Sequence, residues 1–179
     1  MALTKRQQLR DAGRLLMDSI RKSASVLSES SDLFLAHSSQ DKGDVLNGAI
    51  KTLQDGGARV YADFLDPVAN ALSPPDFGNF FDQAIRDTRR LVVLLTEKTA
   101  TSRWVPWELG LAHGVHEVNR AAVWPINDTG ADEIWARQEF LLVYPSIEWV
   151  RFKGNDQYQW AVRVPSNGEY WSLEQWLEL

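Results

Sequence analysis

Leu91-Val92-Val93-Leu94-Leu95 is the most hydrophobic run of the chain, and it leads into Thr96-Glu97-Lys98-Thr99-Ala100-Thr101-Ser102-Arg103-Trp104-Val105-Pro106-Trp107-Glu108. Five apolar residues between Arg90 and Thr96 are too few for a buried helix and fit a strand covered on both faces. Such a strand belongs at the centre of a sheet, with helices packed above and below it. The flanks supply them. Upstream, Phe77, Phe80, Phe81, Ala84 and Ile85 recur at helical spacing. Downstream, a helix is expected over residues 102–118, where Trp104, Leu111, Val115 and Val118 form a second stripe.

The alternation extends outward from this centre. Residues 32–36 (DLFLA) and 58–62 (ARVYA) read as strands, and 121–126 (AAVWPI) as a fourth. Between the first two, Val45, Leu46, Ala49, Ile50 and Leu53 line a helix over residues 41–54 that stops at Gly56-Gly57. Residues 63–76 read as a long loop containing Pro67, Pro74 and Pro75. This order implies an α/β domain with a parallel sheet and right-handed crossovers. Ahead of it, residues 3–27 read as an amphipathic helix that either packs on the domain or pairs with a second copy. Behind it come short segments at 141–144, 148–152, 159–164 and 169–173. Pro165-Ser166-Asn167-Gly168 marks a turn, so a β-hairpin is expected there. The expected organisation is a helix over 1–30, a domain over 31–152 and a packed extension over 153–179.

Composition narrows the chemistry. The chain has 179 residues, no cysteine and a net charge of −5. Absent cysteine excludes disulfides, zinc–thiolate sites, iron–sulfur clusters and cysteine nucleophiles. It also suits a reducing compartment, so a cytoplasmic protein is expected. The acidic balance argues against a nucleic-acid partner. No apolar run is long enough to span a membrane. Charges in the first ten residues stand where a signal peptide needs an apolar core, so no secretion leader is expected.

Glu108 lies in the stripe of the downstream helix, four residues after Trp104 and three before Leu111. A carboxylate on a buried stripe is costly without partners or a task. Two readings follow. Glu108 is solvated and favoured by the helix dipole near the N-terminus, or it is held at the floor of a cleft. Open α/β sheets bind ligands beyond the carboxyl ends of their strands, where strand order switches. Those ends carry His37-Ser38-Ser39, Tyr61, Asp63 and the segment leading to Glu108, so His37, Ser38, Asp63 and Glu108 are expected to converge. Asp66, before Pro67, reads as a turn residue. His113 and His116 have the wrong spacing for a zinc helix, and no metal is expected. No G-x-S-x-G, G-x-G-x-x-G or Walker sequence is present.

Three segments together resemble the Toll/interleukin-1 receptor (TIR) domain in its bacterial form. Asp32-Leu33-Phe34-Leu35-Ala36-His37-Ser38-Ser39-Gln40-Asp41-Lys42 is similar to its first conserved box. Val60-Tyr61-Ala62-Asp63 is similar to its second strand and terminal acid. Leu91 to Thr96, then Ser102-Arg103-Trp104 and Glu108, resembles its Ser-x-Trp segment with a Glu four residues after the Trp. The resemblance implies a flavodoxin-like fold with five parallel strands in the order 2-1-3-4-5, residues 147–152 (IEWVRF) being the fifth.

It also implies cleavage of NAD+ at the nicotinamide–ribose bond by Glu108, with NAD+ as substrate and no cofactor. The product would be ADP-ribose or a cyclic or transferred signal, serving antiphage defence of the Thoeris type through a downstream effector. Nicotinamide leaves as a neutral molecule, so one carboxylate facing the developing oxocarbenium ion suffices. Phe34, His37 and Trp104 are the expected aromatic contacts, with Ser38 and Asp63 beside them, and Arg103 or Lys42 is expected at the pyrophosphate. Residues 63–75 would be the loop that covers the nucleotide, and a homo-oligomer is implied. His37 stands where many members carry another aromatic, and Pro106 precedes the Glu. Two alternatives remain: a non-catalytic TIR–TIR scaffold, and an enzyme like nucleoside deoxyribosyltransferases.

Overall fold

The computed structural model describes residues 4–13, 31–41, 43–127, 138–152, 154 and 156–179. The central sheet contains β1 (Thr4–Lys5), β2 (Leu33–Ala36), β3 (Val60–Tyr61), β4 (Arg90–Leu95), β5 (Ala121–Asn127), β6 (Ser146–Arg151), β7 (Tyr158–Arg163) and β8 (Tyr170–Ser172). Its order is β3-β2-β4-β5-β6-β7-β8, and β1 pairs with the end of β5. Neighbours from β3 to β6 are parallel. Counted from β2, these strands run 2-1-3-4-5, as expected. β7 and β8 then add antiparallel at one edge, with residues 165–168 turning between them.

The helices are α1 (Arg6–Gly13), α2 (Asp44–Asp55), α3 (Pro67–Ala71), α4 (Pro74–Asp87), α5 (Glu97–Ala100), α6 (Trp104–Val115) and α7 (Leu173–Glu178). Alternation along β4 divides the core into two layers. Val92 and Leu94 face a cluster with Leu9 of α1, Leu46 and Ile50 of α2 and Trp176 of α7. Leu91, Val93 and Leu95 face Phe81 and Ile85 of α4 and Val105, Leu109 and Ala112 of α6. Every residue of β4 is buried. Each such Leu or Val stabilises the fold by about 1.5–3 kcal/mol, and a one-residue slip would expose the set to the wrong layer.

Several local expectations change. Residues 63–76 are not an open loop: they hold a 3-10 turn (Asp63–Leu65), α3 and the start of α4. The prolines explain this, because Pro67 and Pro74 open helices, where a missing N–H costs nothing. Asp66 Oδ1 accepts from Val68 N at 2.8 Å and caps α3. The helix expected over 102–118 ends at Val115, with a separate turn, α5, ahead of it. Its buried face is Val105, Glu108, Leu109 and Ala112, one step round from the expected stripe. The first helix begins at Arg6, and residues 14–30 lie outside the described residues. α1 packs on α2 at Gly48, where a Cβ would stand 1.8 Å from the Leu9 carbonyl oxygen. α7 was not expected. Ser172 and Gln175 cap it reciprocally, and Trp176 Nε1 donates to Asn119 O at 2.7 Å.

Candidate active site

The site lies at the carboxyl ends of β2, β3 and β4, where the chain crosses to opposite sides of β2. A cavity of about 310 Å³ opens there, and His37, Ser38, Asp63, Trp104 and Glu108 all stand in its wall. Two loops face each other across it. Asp41, buried after β2, holds the loop after β4: Thr96 Oγ1 donates to its Oδ2 at 2.6 Å, and Thr99 Oγ1 lies 3.0 Å from the same oxygen. Lys98 Nζ donates to Gln40 O at 2.9 Å across the same gap. The walls are therefore tied together before any ligand arrives.

Glu108 is placed by the start of α6. Ser102 Oγ accepts from Trp104 N at 3.2 Å and from Val105 N at 3.4 Å, which starts the helix. Pro106 falls in the first turn, where no backbone bond is lost. Glu108 follows, 6% exposed, and its Oε2 has no hydrogen-bond partner among the described residues. Burial, with the charge of Asp63 adding to it, pushes its pKa up to about 8. At neutral pH this carboxyl is therefore mostly protonated.

His37 ends β2. Its side chain is 2% exposed, and Nδ1 lies 3.2 Å from Asp63 Oδ1. The ring meets Phe64 edge to face and is too enclosed to serve as the expected stacking surface. Trp104 is the open aromatic: it is 39% exposed and packs edge-on against Phe77 and Trp107. Ser38 Oγ accepts from Gln40 N at 3.3 Å, so it shapes the turn while standing in the wall.

Phe34 does not belong to the site. It is 1% exposed and packs on Tyr61 and Phe81 beneath the cavity. Three residue steps take the chain from Phe34 to His37, roughly 10 Å along the strand direction, which sets Phe34 in the core layer. Asp66 accepts from Tyr61 OH at 3.2 Å as well as capping α3, and has the structural part expected of it. Arg103 is not among the lining residues, and Lys42 lies outside the described residues. Lys98, Gln40, Phe77 and Phe81 line the cavity without having been expected. Lys98 follows the end of β4 directly, so topology alone could have flagged it. The two phenylalanines arrive only through the way α4 closes over the sheet. A second cavity of about 210 Å³ shares Gln40 and Lys98 and includes Arg6 and Arg10 of α1. His113 and His116 hold structure elsewhere, at Tyr144 OH and Ile85 O.

The sheet order, the loops that meet at its switch point and the Ser102–Glu108 segment agree with one family, and the family model for the TIR domain matches residues 33–163. The chain belongs to the TIR-domain family. Within the TIR frame, the matched region starts at β2 and ends with β7, so β1, α1, β8 and α7 fall outside it. The chain is also similar to a probable 3' cyclic ADP-D-ribose synthase ThsB' of Bacillus cereus (strain MSX-D12), 25% identical over 118 residues. That alignment covers 65% of this chain and 60% of the Bacillus protein, so the TIR chain spans about three fifths of that relative's length. Among the described residues, no helix is long and apolar enough to cross a membrane.

Proposed function

We propose that this TIR protein is a cytoplasmic enzyme that cleaves the nicotinamide–ribose bond of NAD+. The product would be a cyclic or free ADP-ribose signal that acts on a downstream effector in antiphage defence. One observation carries the reading: a buried carboxyl, Glu108, with one oxygen unpartnered among the described residues, in a cavity at the switch point of a TIR sheet. The similarity to a probable 3' cyclic ADP-D-ribose synthase of Bacillus supports a cyclised product.

The chemistry follows from the cavity. Its volume, about 310 Å³, is at the low end for small-molecule sites and suits nicotinamide and its ribose better than a whole dinucleotide. Trp104 offers a ring face to the nicotinamide. A cationic nicotinamide ribosyl group beside Glu108 favours the carboxylate, so binding releases a proton. The carboxylate then faces the positive charge that develops on the ribose as neutral nicotinamide departs. The remainder of NAD+ leaves the cavity past Lys98, towards Arg6 and Arg10. A second copy of the chain would cover the exposed part of the nucleotide, so the active form is a homo-oligomer.

Purified protein incubated with NAD+ is expected to release nicotinamide, with mass spectrometry of the product separating ADP-ribose from a cyclic isomer. Glu108→Gln should lower the rate by about 100-fold or more. Release by the variant at the wild-type rate would sink the reading, as would no release from wild type at any protein concentration. The second of these outcomes would favour a TIR–TIR scaffold.

A further inference from the structure

A carboxylate explains how the nicotinamide bond breaks but leaves the incoming group unexplained. His37 addresses that gap. Among the described residues, two groups flank its Nδ1: the Leu35 carbonyl at 3.3 Å and Asp63 Oδ1 at 3.2 Å. Both accept hydrogen bonds, so Nδ1 carries the ring proton and the lone pair of the neutral ring is on Nε2. Nε2 is buried and has no partner among the described residues. Glu108 Oε2 is in the same condition, and both residues stand in one cavity wall. Leaving two polar atoms unpaired is costly. A hydroxyl that enters the cavity can donate to the bare imidazole nitrogen and relieve Nε2, while Glu108 Oε2 is left to the positive charge that develops on the ribose.

We propose that His37 is a catalytic residue: the general base that takes the proton from the hydroxyl attacking the ribosyl carbon, with Asp63 as its positioning residue. The inference rests on the NAD+-cleaving reading above. The first half-reaction breaks the bond between the ribosyl carbon and the nicotinamide nitrogen, and the electron pair leaves with nicotinamide. No proton moves. In the second half, a lone pair of the hydroxyl oxygen forms the new carbon–oxygen bond and its proton passes to His37 Nε2. The imidazolium forms beside the Asp63 carboxylate and later loses its proton to water. The sum is NAD+ plus a hydroxyl giving an ADP-ribosyl glycoside, nicotinamide and a proton. If the hydroxyl belongs to the substrate the product is cyclic, and if it belongs to water the product is ADP-ribose.

This division gives His37 a signature that a structural residue lacks. Nicotinamide attacking in reverse has no proton to lose, so that step does not need the base. The protein is incubated with NAD+ and isotopically labelled nicotinamide. Exchange of label into NAD+ is followed beside ADP-ribosyl product. His37→Gln and His37→Asn are expected to keep exchange within a few-fold of wild type while product formation falls about 100-fold or more. Product formation at the wild-type rate would overturn the assignment. So would a loss of exchange and product in equal proportion in both variants. Wild-type protein that consumes NAD+ with no exchange would also overturn it, since a proton-free acceptor should be taken without the base. Wild-type protein that does not consume NAD+ defeats the parent reading, and the role of His37 falls with it.

Discussion

Two buried glutamates, Glu108 on α6 and Glu148 on β6, are treated in opposite ways. Glu148, on β6 near the edge where β7 and β8 join the sheet, accepts from Ser146 Oγ at 2.8 Å and from Tyr170 OH at 3.0 Å. One donor comes from its own strand and one from β8, so the carboxylate ties the edge strands together. Asp41 does the same near the cavity, with Thr96 and Thr99. Glu108 is as thoroughly enclosed, yet one of its oxygens has no partner among the described residues. A buried carboxylate with its donors in place holds a fold, and one left short of them is available to a ligand. The contrast predicts that each residue will fail in a different assay.

The largest effect belongs to Glu108. With its pKa pushed up to about 8, the free protein holds Glu108 mostly protonated below that pH, the form that the proposed reaction does not use. We expect kcat/KM for NAD+ to rise about tenfold per unit from pH 6 and to level above about 8. A profile flat over that range would show that the ionisation of Glu108 does not govern turnover. Stability should move the other way. The group is neutral below its ordinary pKa in both states. Between there and about 8 the unfolded chain gives up the proton while the fold retains it. The stabilisation by the bound proton is therefore present in acid and lost as pH rises. Glu108→Gln keeps the neutral shape, so it should match wild type near pH 4.5 and exceed it by a few kcal/mol at pH 8. Thermal denaturation across that range checks the sign, which is that of a residue retained for chemistry at the expense of the fold.

Glu148 should show the reverse. Glu148→Ala strips two hydroxyls of their acceptor at a buried site and is expected to cost about 1–3 kcal/mol in urea unfolding. Nicotinamide release per folded molecule should not change. A large loss of activity with stability intact would break the comparison.

The difference between the two acids was only half legible in the sequence. Residues 91–95 and the alternation around them gave the layered sheet, because a short apolar run between two helical stripes has few other solutions. The chain ends of β2, β3 and β4 pointed to His37, Ser38, Asp63 and Glu108 through topology alone. What stayed hidden depends on tertiary closure. α6 carries apolar residues on adjacent stripes, so periodicity could not choose between Val105-Leu109-Ala112 and Trp104-Leu111-Val115 as the packed face. Phe34 looked like a ligand contact because the motif around it ends at the site, but strand rise places it a layer deeper. The short α7 carries a capping pair, Ser172 and Gln175, that is legible in retrospect.

The tryptophans repeat the contrast on a smaller scale and supply the mildest test. Trp176 is fully buried, its indole N–H is satisfied by Asn119, and Arg90 Nε donates to its carbonyl at 3.1 Å. Trp104 stands over the cavity with more than a third of its surface open. Removing a stacking partner that contributes about 0.5–1.5 kcal/mol should raise KM for NAD+ roughly threefold to tenfold. Trp104→Ala is therefore expected to show that change, with kcat within a few-fold of wild type and little loss of Tm. Equal loss of kcat and kcat/KM would place Trp104 in the transition state with Glu108. A large fall in Tm would place it with Trp176, as part of the packing. The expected result lies between these, because an exposed ring at the mouth of a cavity contributes binding that ground state and transition state share.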